Sequence, residues 1–350
     1  MTFVKPCYAK PDVRRAGECL IARKATPEER AHATSVMTNW RASHGYVLNT
    51  FQSTLRNKLR YLDKTAIVGQ RLKRAPSIVA KLSRFNTMKL HQMQDIAGLR
   101  AIVETNAKLK RLHDNYRDSR FIHELIKTHD YVSNPKPDGY RSIHLVYRYQ
   151  NPKAPVYDGL FVELQLRTRL QHAWATAVET VDAFLGQKIK AGEPSQDWAE
   201  FFLLASAAFA HSEKMPLPEK FRNIAPKTLL SLLRKSEKKL DVLLKLRGFS
   251  VAADKIFRDG LASASYHLIT LNSAARTLTI SSFPLADQDL ANKAYAELEE
   301  RAFNGEPLDP VLVTGGRVDG LRKAYPNYFL DTQSFVKILE RIINQGHGFE

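Results

Sequence analysis

The chain has 350 residues, 44% of them hydrophobic, enough to bury a sizeable core and long enough for two modest domains. It carries 53 Lys and Arg against 36 Asp and Glu, a net charge of +17, and only two cysteines, Cys7 and Cys19, too few for a disulfide framework or a four-ligand zinc site. No apolar run approaches the ~20 residues that span a bilayer. The N-terminal stretch MTFVKPCYAKPDVRRAGECL lacks the apolar stretch of a signal peptide, so a cytoplasmic protein with no membrane partner is expected. The charge is uneven: residues 51–100 hold 11 basic and 2 acidic side chains, a balance of +9, whereas residues 251–350 hold 10 and 13, a balance of −3. A basic front of this kind points to polyanionic partners such as nucleotides or RNA, and the contrast to two domains with separate jobs.

In chain order, residues 1–65 read as helical. Thr26-Pro27-Glu28-Glu29 has the pattern of a helix start, and Phe51, Leu55, Leu59 and Leu62 recur at helical spacing. Between residues 95 and 168 the pattern changes to short β-rich runs, GLRAIVE, HELIKTHDYV, SIHLVYRY and GLFVELQL, divided by turn signals at Asn134-Pro135 and Asp138-Gly139. Leu170, Trp174, Ala177, Val181 and Phe184 then predict a helix packed on that sheet. After a Gly, Pro and Ser cluster at 186–198 and the pair Pro216 and Pro218 comes a long basic helix, LLSLLRKSEKKLDVLLKL. The remainder alternates strand, strand, helix, strand and helices. The expected organisation is an N-terminal helical region (1–65), a mixed sheet flanked by helices (66–215), a linker helix (216–250) and a small α+β module (251–350), an α/β (α+β) chain throughout.

Four segments carry candidate chemistry. In Arg71-Leu72-Lys73-Arg74-Ala75-Pro76-Ser77-Ile78-Val79-Ala80-Lys81, Ser77 is placed to open a helix with Lys81 one turn in, and fixed cations at a helix start suit a triphosphate. In Asp95-Ile96-Ala97-Gly98-Leu99-Arg100, an acid at a strand entry offers hard oxygen to Mg²⁺ and the glycine permits close approach. The loop from Asp130-Tyr131 through Lys136, Asp138-Gly139, Tyr140 and Arg141 to His144 is stiffened by Pro135 and Pro137 and sets aromatic rings beside cations, as base stacking and phosphate pairing require. In Glu163-Leu164-Gln165-Leu166-Arg167-Thr168, period-two alternation puts Glu163, Gln165 and Arg167 on one strand face. Each alone also has a structural reading: a solvated charge run, a turn aspartate, a Pro-rich hairpin, an exposed strand face.

Together, in this order, the four motifs and the His172 and Trp174 that follow resemble the RelA/SpoT pyrophosphokinases over residues 50–185. The resemblance implies a nucleotidyltransferase-like synthetase fold and an Mg-dependent transfer of the β,γ-diphosphate of ATP to a ribose hydroxyl. It implies that Arg71 and Arg100 flank adenine while Lys73, Ser77 and Lys81 hold the phosphates. Asp95 and Glu163 are then metal ligands, and Glu163 takes the proton of the attacking hydroxyl. Tyr140 would stack the acceptor base, with Tyr131, Lys136, His144, Gln165 and Arg167 fixing the acceptor.

Two departures bear on the acceptor. His129 stands where many alarmone-making members have Lys, and Asp138 where many have Asn. One cation fewer and one anion more should loosen the grip on a free guanosine di- or triphosphate, each charged contact to phosphate being worth about 1.5 to 3 kcal/mol. Near the C-terminus, Ala324-Tyr325-Pro326-Asn327-Tyr328-Phe329 holds a Tyr-x-x-Tyr pair, similar to that of the CapRel-type fused toxin–antitoxins. That likeness implies a toxic small alarmone synthetase whose C-terminal segment blocks the ATP site through Tyr325 and Tyr328, a phage protein as activator, and the 3′ CCA end of tRNA as acceptor. Three functions stand open on sequence: a tRNA pyrophosphokinase of anti-phage defence, a (p)ppGpp synthetase acting on GDP or GTP, and a non-enzymatic nucleotide or RNA sensor.

Overall fold

The computed structural model describes residues 3–85, 87–185, 195–258, 265–272, 274–275, 277–315, 328–346 and 349. They fall into two compact units, one of residues 1–131 and 142–169, the other of 132–141 and 170–350.

The first unit opens with helices α1 (Lys10–Ile21) and α2 (Pro27–Leu62). The expected start of α2 is present in full: Thr26 Oγ1 accepts from the Glu29 amide at 3.2 Å, and Glu29 Oε2 accepts from the Thr26 amide at 2.8 Å, with Pro27 in the first turn. Next come β1 (Ile67–Leu72), α3 (Ala75–Arg84), β2 (Ala97–Val103), α4 (Asn106–Arg117), β3 (Glu124–Asp130), β4 (Ile143–Arg148) and β5 (Phe161–Thr168). The strands form one sheet in the order β1-β2-β5-β4-β3, in which only β2 and β5 run parallel. One face carries Leu99, Ala101, Leu164, Leu166, Ile143, Leu145 and Tyr147, all buried, and it is covered by α2 and α4. Phe51 of α2 and Tyr116 of α4 both lie against Tyr147, with ring centroids 5.4 and 6.2 Å away. The other face is polar and carries the candidate site.

β1 was not expected. Gly69 and Gln70 break its alternation, so the segment reads as part of the basic run. The helix expected to open at Ser77 begins two residues earlier at Ala75, with Pro76 in its first turn, which is where proline fits a helix.

The second unit is built on α5 (Arg169–Leu185), α6 (Gln196–Ser212), α7 (Pro226–Leu240), α8 (Val242–Arg258), a three-stranded antiparallel sheet β7-β6-β8 and two more helices. The strands are β6 (Ser265–Asn272), β7 (Thr277–Pro284) and β8 (Leu308–Thr314); α9 (Gln288–Phe303) packs along β8, and α10 (Tyr328–Gln345) along α8. Trp174 of α5, Phe202 of α6, Leu233 of α7, Leu246 of α8 and Phe335 of α10 share one core, and the Trp174 indole donates to the Phe202 carbonyl at 2.8 Å. Most of the apolar face of α5 is therefore spent on its fellow helices. A smaller cluster, with Phe184 and Phe249 stacked at 4.6 Å, joins α5 and α8 to the three-stranded sheet.

The long basic helix is two helices. Asp241 takes a left-handed conformation (φ 50°, ψ 43°) and its amide caps the Glu237 carbonyl, a turn that Asp tolerates better than most residues. No glycine or proline marks the break, so the apolar period runs through it. Packing also redraws the organisation: the compact units part at 169/170, and the helices expected as a linker (216–250) and the last helix of the expected C-terminal module (251–350) belong to the same core as α5 and α6. Among the described residues no helix is long and apolar enough to cross a membrane.

Asp63 ties the first unit together at the end of α2. Its carboxylate accepts from the Glu104 amide at 2.9 Å, the Thr65 amide at 3.0 Å and hydroxyl at 2.8 Å, and Lys108 Nζ at 3.2 Å, joining α2, the entry to β1 and the start of α4. Burial acts to raise its pKa, but these donors outweigh it and hold the carboxyl down to about 2 from 3.8. A depressed pKa contributes stability above the unfolded value that fades as pH falls through the folded one, here about 2 kcal/mol at neutral pH lost mostly between pH 4 and 2. Asp63→Asn should therefore unfold at lower denaturant concentration than the parent at pH 7, and the gap should narrow as pH drops from 4 toward 2.

Candidate active site

Registry across the sheet brings the sequence-predicted residues onto one face. Directly paired residues form two rows: Arg71, Gly98, Glu163, Val146 and Lys127 in one, Gly69, Arg100, Gln165, His144 and His129 in the next. Paired residues project to the same side, so Arg71, Arg100, Glu163, Gln165, His144 and, one step on, Arg167 share the polar face. Each of the two arginines of β1 and β2 has a glycine across from it, leaving the strip over these strands without opposing side chains. A Cβ added at Gly98 would lie 3.8 Å from Arg71 Cγ, inside that strip.

Asp95 sits in the turn two residues before β2, between two lysines. Lys73 Nζ donates to Oδ2 and Lys81 Nζ to Oδ1, each at 3.0 Å. Main-chain bonds fix Lys73 itself: its amide donates to the Ile96 carbonyl at 2.8 Å, and Arg41 of α2 donates to its carbonyl at 2.6 Å. Nothing in the sequence marks Arg41 for this task. Ser77 stands in the first turn of α3.

Glu163 is held at both oxygens. His144 Nδ1 lies 2.9 Å from Oε1, and Gln165 Nε2 donates to Oε2 at 2.8 Å. Burial alone would raise its pKa, but the His144 hydrogen bond and charge, the Gln165 amide and the Lys81 charge together hold it at about 2. Lys81 thus neighbours both carboxylates. The Gln165 carbonyl accepts from Arg167 Nη2 at 2.8 Å, and Arg167 Nε donates to Ser142 Oγ at 3.3 Å. Ser142, fully buried, was within a recognised motif but carried no assigned role. Tyr131 stacks on His129 with centroids 5.3 Å apart and meets His144 edge-on at 5.4 Å, so the histidine that replaces a lysine acts here as an aromatic partner.

The loop from Val132 to Arg141 belongs to the second unit, and there one expectation fails. Arg141 was expected to be displayed beside Tyr140, yet it is 4% exposed. Its guanidinium donates to the carbonyls of Val132 and Pro216 and to Ser206 Oγ, and burial lowers its pKa to about 10. Its work is to bind the loop to α6. Gly139 has φ +89°, and an added Cβ would come within 2.8 Å of Ser206 Cβ, so both conformation and space demand glycine there. Asp138 accepts from the Tyr140 amide at 2.9 Å, a local turn bond that an Asn carbonyl would also make. Tyr140 is half-buried, 6.4 Å from Trp174 between ring centroids, with Lys136 Nζ 5.1 Å from its own centroid. His172 and Trp174 are buried. Tyr325 lies outside the described residues, and of Tyr328 only the backbone is described, as the first residue of α10.

The donor set suits Mg²⁺: two carboxylates with hard oxygens, the number this ion uses when substrate phosphates and water complete its shell. Among the described residues no group of three or more His, Cys, Asp or Glu side chains forms a metal cage.

Residues 70–182 match the family described as "Region found in RelA / SpoT proteins". The chain is 31% identical over 112 residues to GTP pyrophosphokinase YwaC and 33% identical over 109 residues to GTP pyrophosphokinase YjbM, both of Bacillus subtilis. Each match covers 30% of this chain and about half of the relative, 52% and 51%. A GTP pyrophosphokinase of Escherichia coli is 29% identical over 150 residues, covering 42% of this chain and 18% of its own length. The crystal structure of small alarmone synthetase 1 from Bacillus subtilis aligns with 49% of this chain and 88% of that one, at 24% identity and a TM-score of 0.42. The segment that holds Asp95, Glu163 and their hydrogen-bonded partners lies within residues 70–182, the part of the chain similar to that family.

Proposed function

We propose that the chain is an Mg-dependent pyrophosphokinase that moves the β,γ-diphosphate of ATP to a ribose hydroxyl. The observation that carries this is that Lys81, which with Lys73 clamps Asp95, also acts on Glu163, in a segment whose sequence is of the RelA/SpoT kind. In this reading the ribose oxygen bonds to the β-phosphorus, the bond from that phosphorus to the oxygen bridging the α-phosphate breaks, AMP leaves and Glu163 receives the hydroxyl proton. Lys73 and Lys81 turn from Asp95 to the triphosphate, and Arg71 and Arg100 take the adenine. A bound Mg²⁺, held by Asp95 and Glu163, would supply charge neutralisation on the phosphate oxygens. The His144 and Gln165 hydrogen bonds and the Lys81 charge, which outweigh burial, keep the Glu163 carboxyl ionised and able to accept a proton. Glu163→Gln keeps the shape and removes the base, so it should abolish transfer from γ-labelled ATP while ATP affinity stays near the parent's. Turnover at a tenth of the parent rate would refute the assignment.

Two acceptors are supported by different observations. The relatives' names favour a guanosine nucleotide, whereas the excess of 9 positive charges over residues 51–100 and His129 in place of a lysine just before the loop favour the 3′ CCA end of tRNA. Parallel assays with GDP, GTP and bulk tRNA decide between them. With tRNA, activity should fall steeply as salt rises from 50 to 200 mM, because released counterions set the slope; with a mononucleotide it should fall shallowly.

The Tyr-x-x-Tyr pair supports a further element of this reading: a toxin of anti-phage defence, kept inactive by its C-terminal segment until a phage protein draws that segment away. An activator must bind the released state more tightly than the docked one. Cells expressing Tyr325→Ala/Tyr328→Ala should then grow more slowly than cells expressing the parent at equal protein level, and equal growth would overturn the inhibition.

A further inference from the structure

We propose that Gln165 and Arg167 are positioning residues for Glu163, not contacts to the acceptor: Arg167, anchored on Ser142, dictates which end of the Gln165 amide faces the carboxylate and so aims it. The proposal rests on the diphosphate-transfer reading above.

The argument begins with which groups can donate. A guanidinium has donors only, and an ionised carboxylate has acceptors only. Gln165 lies between the two, with one amide end 2.8 Å from each. Its carbonyl oxygen must therefore face Arg167 and its NH₂ must face Glu163. The reverse orientation would set oxygen against carboxylate and NH₂ against guanidinium, two repulsive contacts in place of two bonds. The O/N ambiguity of a glutamine side chain is thus settled by chemistry at both ends.

Arg167 is itself fixed. It is 4% exposed, its Nε donates to Ser142 Oγ at 3.3 Å, and the Ser142 hydroxyl donates onward to the Leu166 carbonyl at 3.1 Å. A guanidinium so enclosed is costly to bury unless several donors are used, and the ones that face Gln165 and Ser142 are used inside the unit. Period-two spacing on β5 lines up residues 163, 165 and 167 along one face, which makes a chain of side-chain bonds along a single strand geometrically natural. His144, on the neighbouring strand, takes the other carboxylate oxygen. The carboxylate plane is thereby held from two strands, and loss of the Gln165 amide leaves it held from one.

The test uses the full chain carrying Gln165→Leu, Arg167→Met, or both, assayed with ATP and with GDP or bulk tRNA as acceptor. Each single change should lower kcat roughly 10- to 100-fold, as removal of outer partners of a liganding carboxylate does, while the KM values for ATP and acceptor stay within about twofold. The double variant should be no slower than Gln165→Leu, because Arg167 acts through the amide. A raised acceptor KM at parental kcat, or a double variant slower by the product of the two single effects, overturns the proposal. A second readout is independent of turnover: the side-chain ¹⁵N–¹H₂ signal of Gln165 in glutamine-labelled protein, identified by its loss in Gln165→Leu. It should move toward the position of a solvated amide in Arg167→Met, and an unmoved signal overturns the arrangement. If Arg167→Met does not fold, the kcat-against-KM split of Gln165→Leu decides. A parent that transfers nothing to either acceptor refutes the transfer reading, and the amide signal then decides the positioning role alone.

Discussion

The first unit depends on the parallel pairing of β2 with β5. These two strands are distant in sequence, and the pairing sets Gly98 beside Glu163 and Arg100 beside Gln165. A shift of one residue would turn Glu163, Gln165 and Arg167 into the apolar layer under α2 and α4 and bring Leu164 and Leu166 out. The register is held by that layer: Leu99, Ala101, Leu164 and Leu166 are all buried, so a slip of β5 would expose two apolar side chains and bury three polar ones. Hydrophobic packing on one side of the sheet thus fixes, to a fraction of a residue, the geometry of the polar side.

On that polar side the charges are arranged in layers of decreasing freedom. Asp95 is matched by two lysines whose side chains are long and unbranched, able to leave it for another anion. Glu163 is matched by a histidine and an amide anchored in strands β4 and β5, which have far less reach. One carboxylate is therefore set among movable cations and the other in a rigid cradle.

Much of this was legible in the sequence because it lies in local pattern. The capping box at Thr26 and Glu29, the four apolar β runs, and the shared face of Glu163, Gln165 and Arg167 follow from spacing of two, three or four residues. What the sequence hid depends on distant partners or on backbone conformation. β1 is a strand because β2 pairs with it, despite a glycine in its middle. Asp241 ends a helix with no glycine to announce it. Arg141 looks like a displayed cation in the string Tyr-Arg-Ser, and only the arrival of Ser206 and Pro216, 65 and 75 residues later, makes it a buried strut. Arg41 holds the Lys73 carbonyl across 32 residues, a relation no periodicity encodes.

The membership of the loop Val132–Arg141 in the second unit bears on the order in which the protein can be built. Its supports, the Gly139 carbonyl on the Ser206 hydroxyl and Arg141 on the Pro216 carbonyl, are separated by 67 and 75 residues of chain. At 5 to 20 residues per second, a nascent chain would carry the finished strands of the first unit, the last of which ends at Thr168, for roughly 2 to 10 s before Ser206 and Pro216 are made. During elongation the sheet with Glu163 can be complete while Lys136 and Tyr140 are not yet held. Of the four recognised motifs, this loop is therefore the last to be fixed, and only once α6 and the Pro216 that follows it have been made.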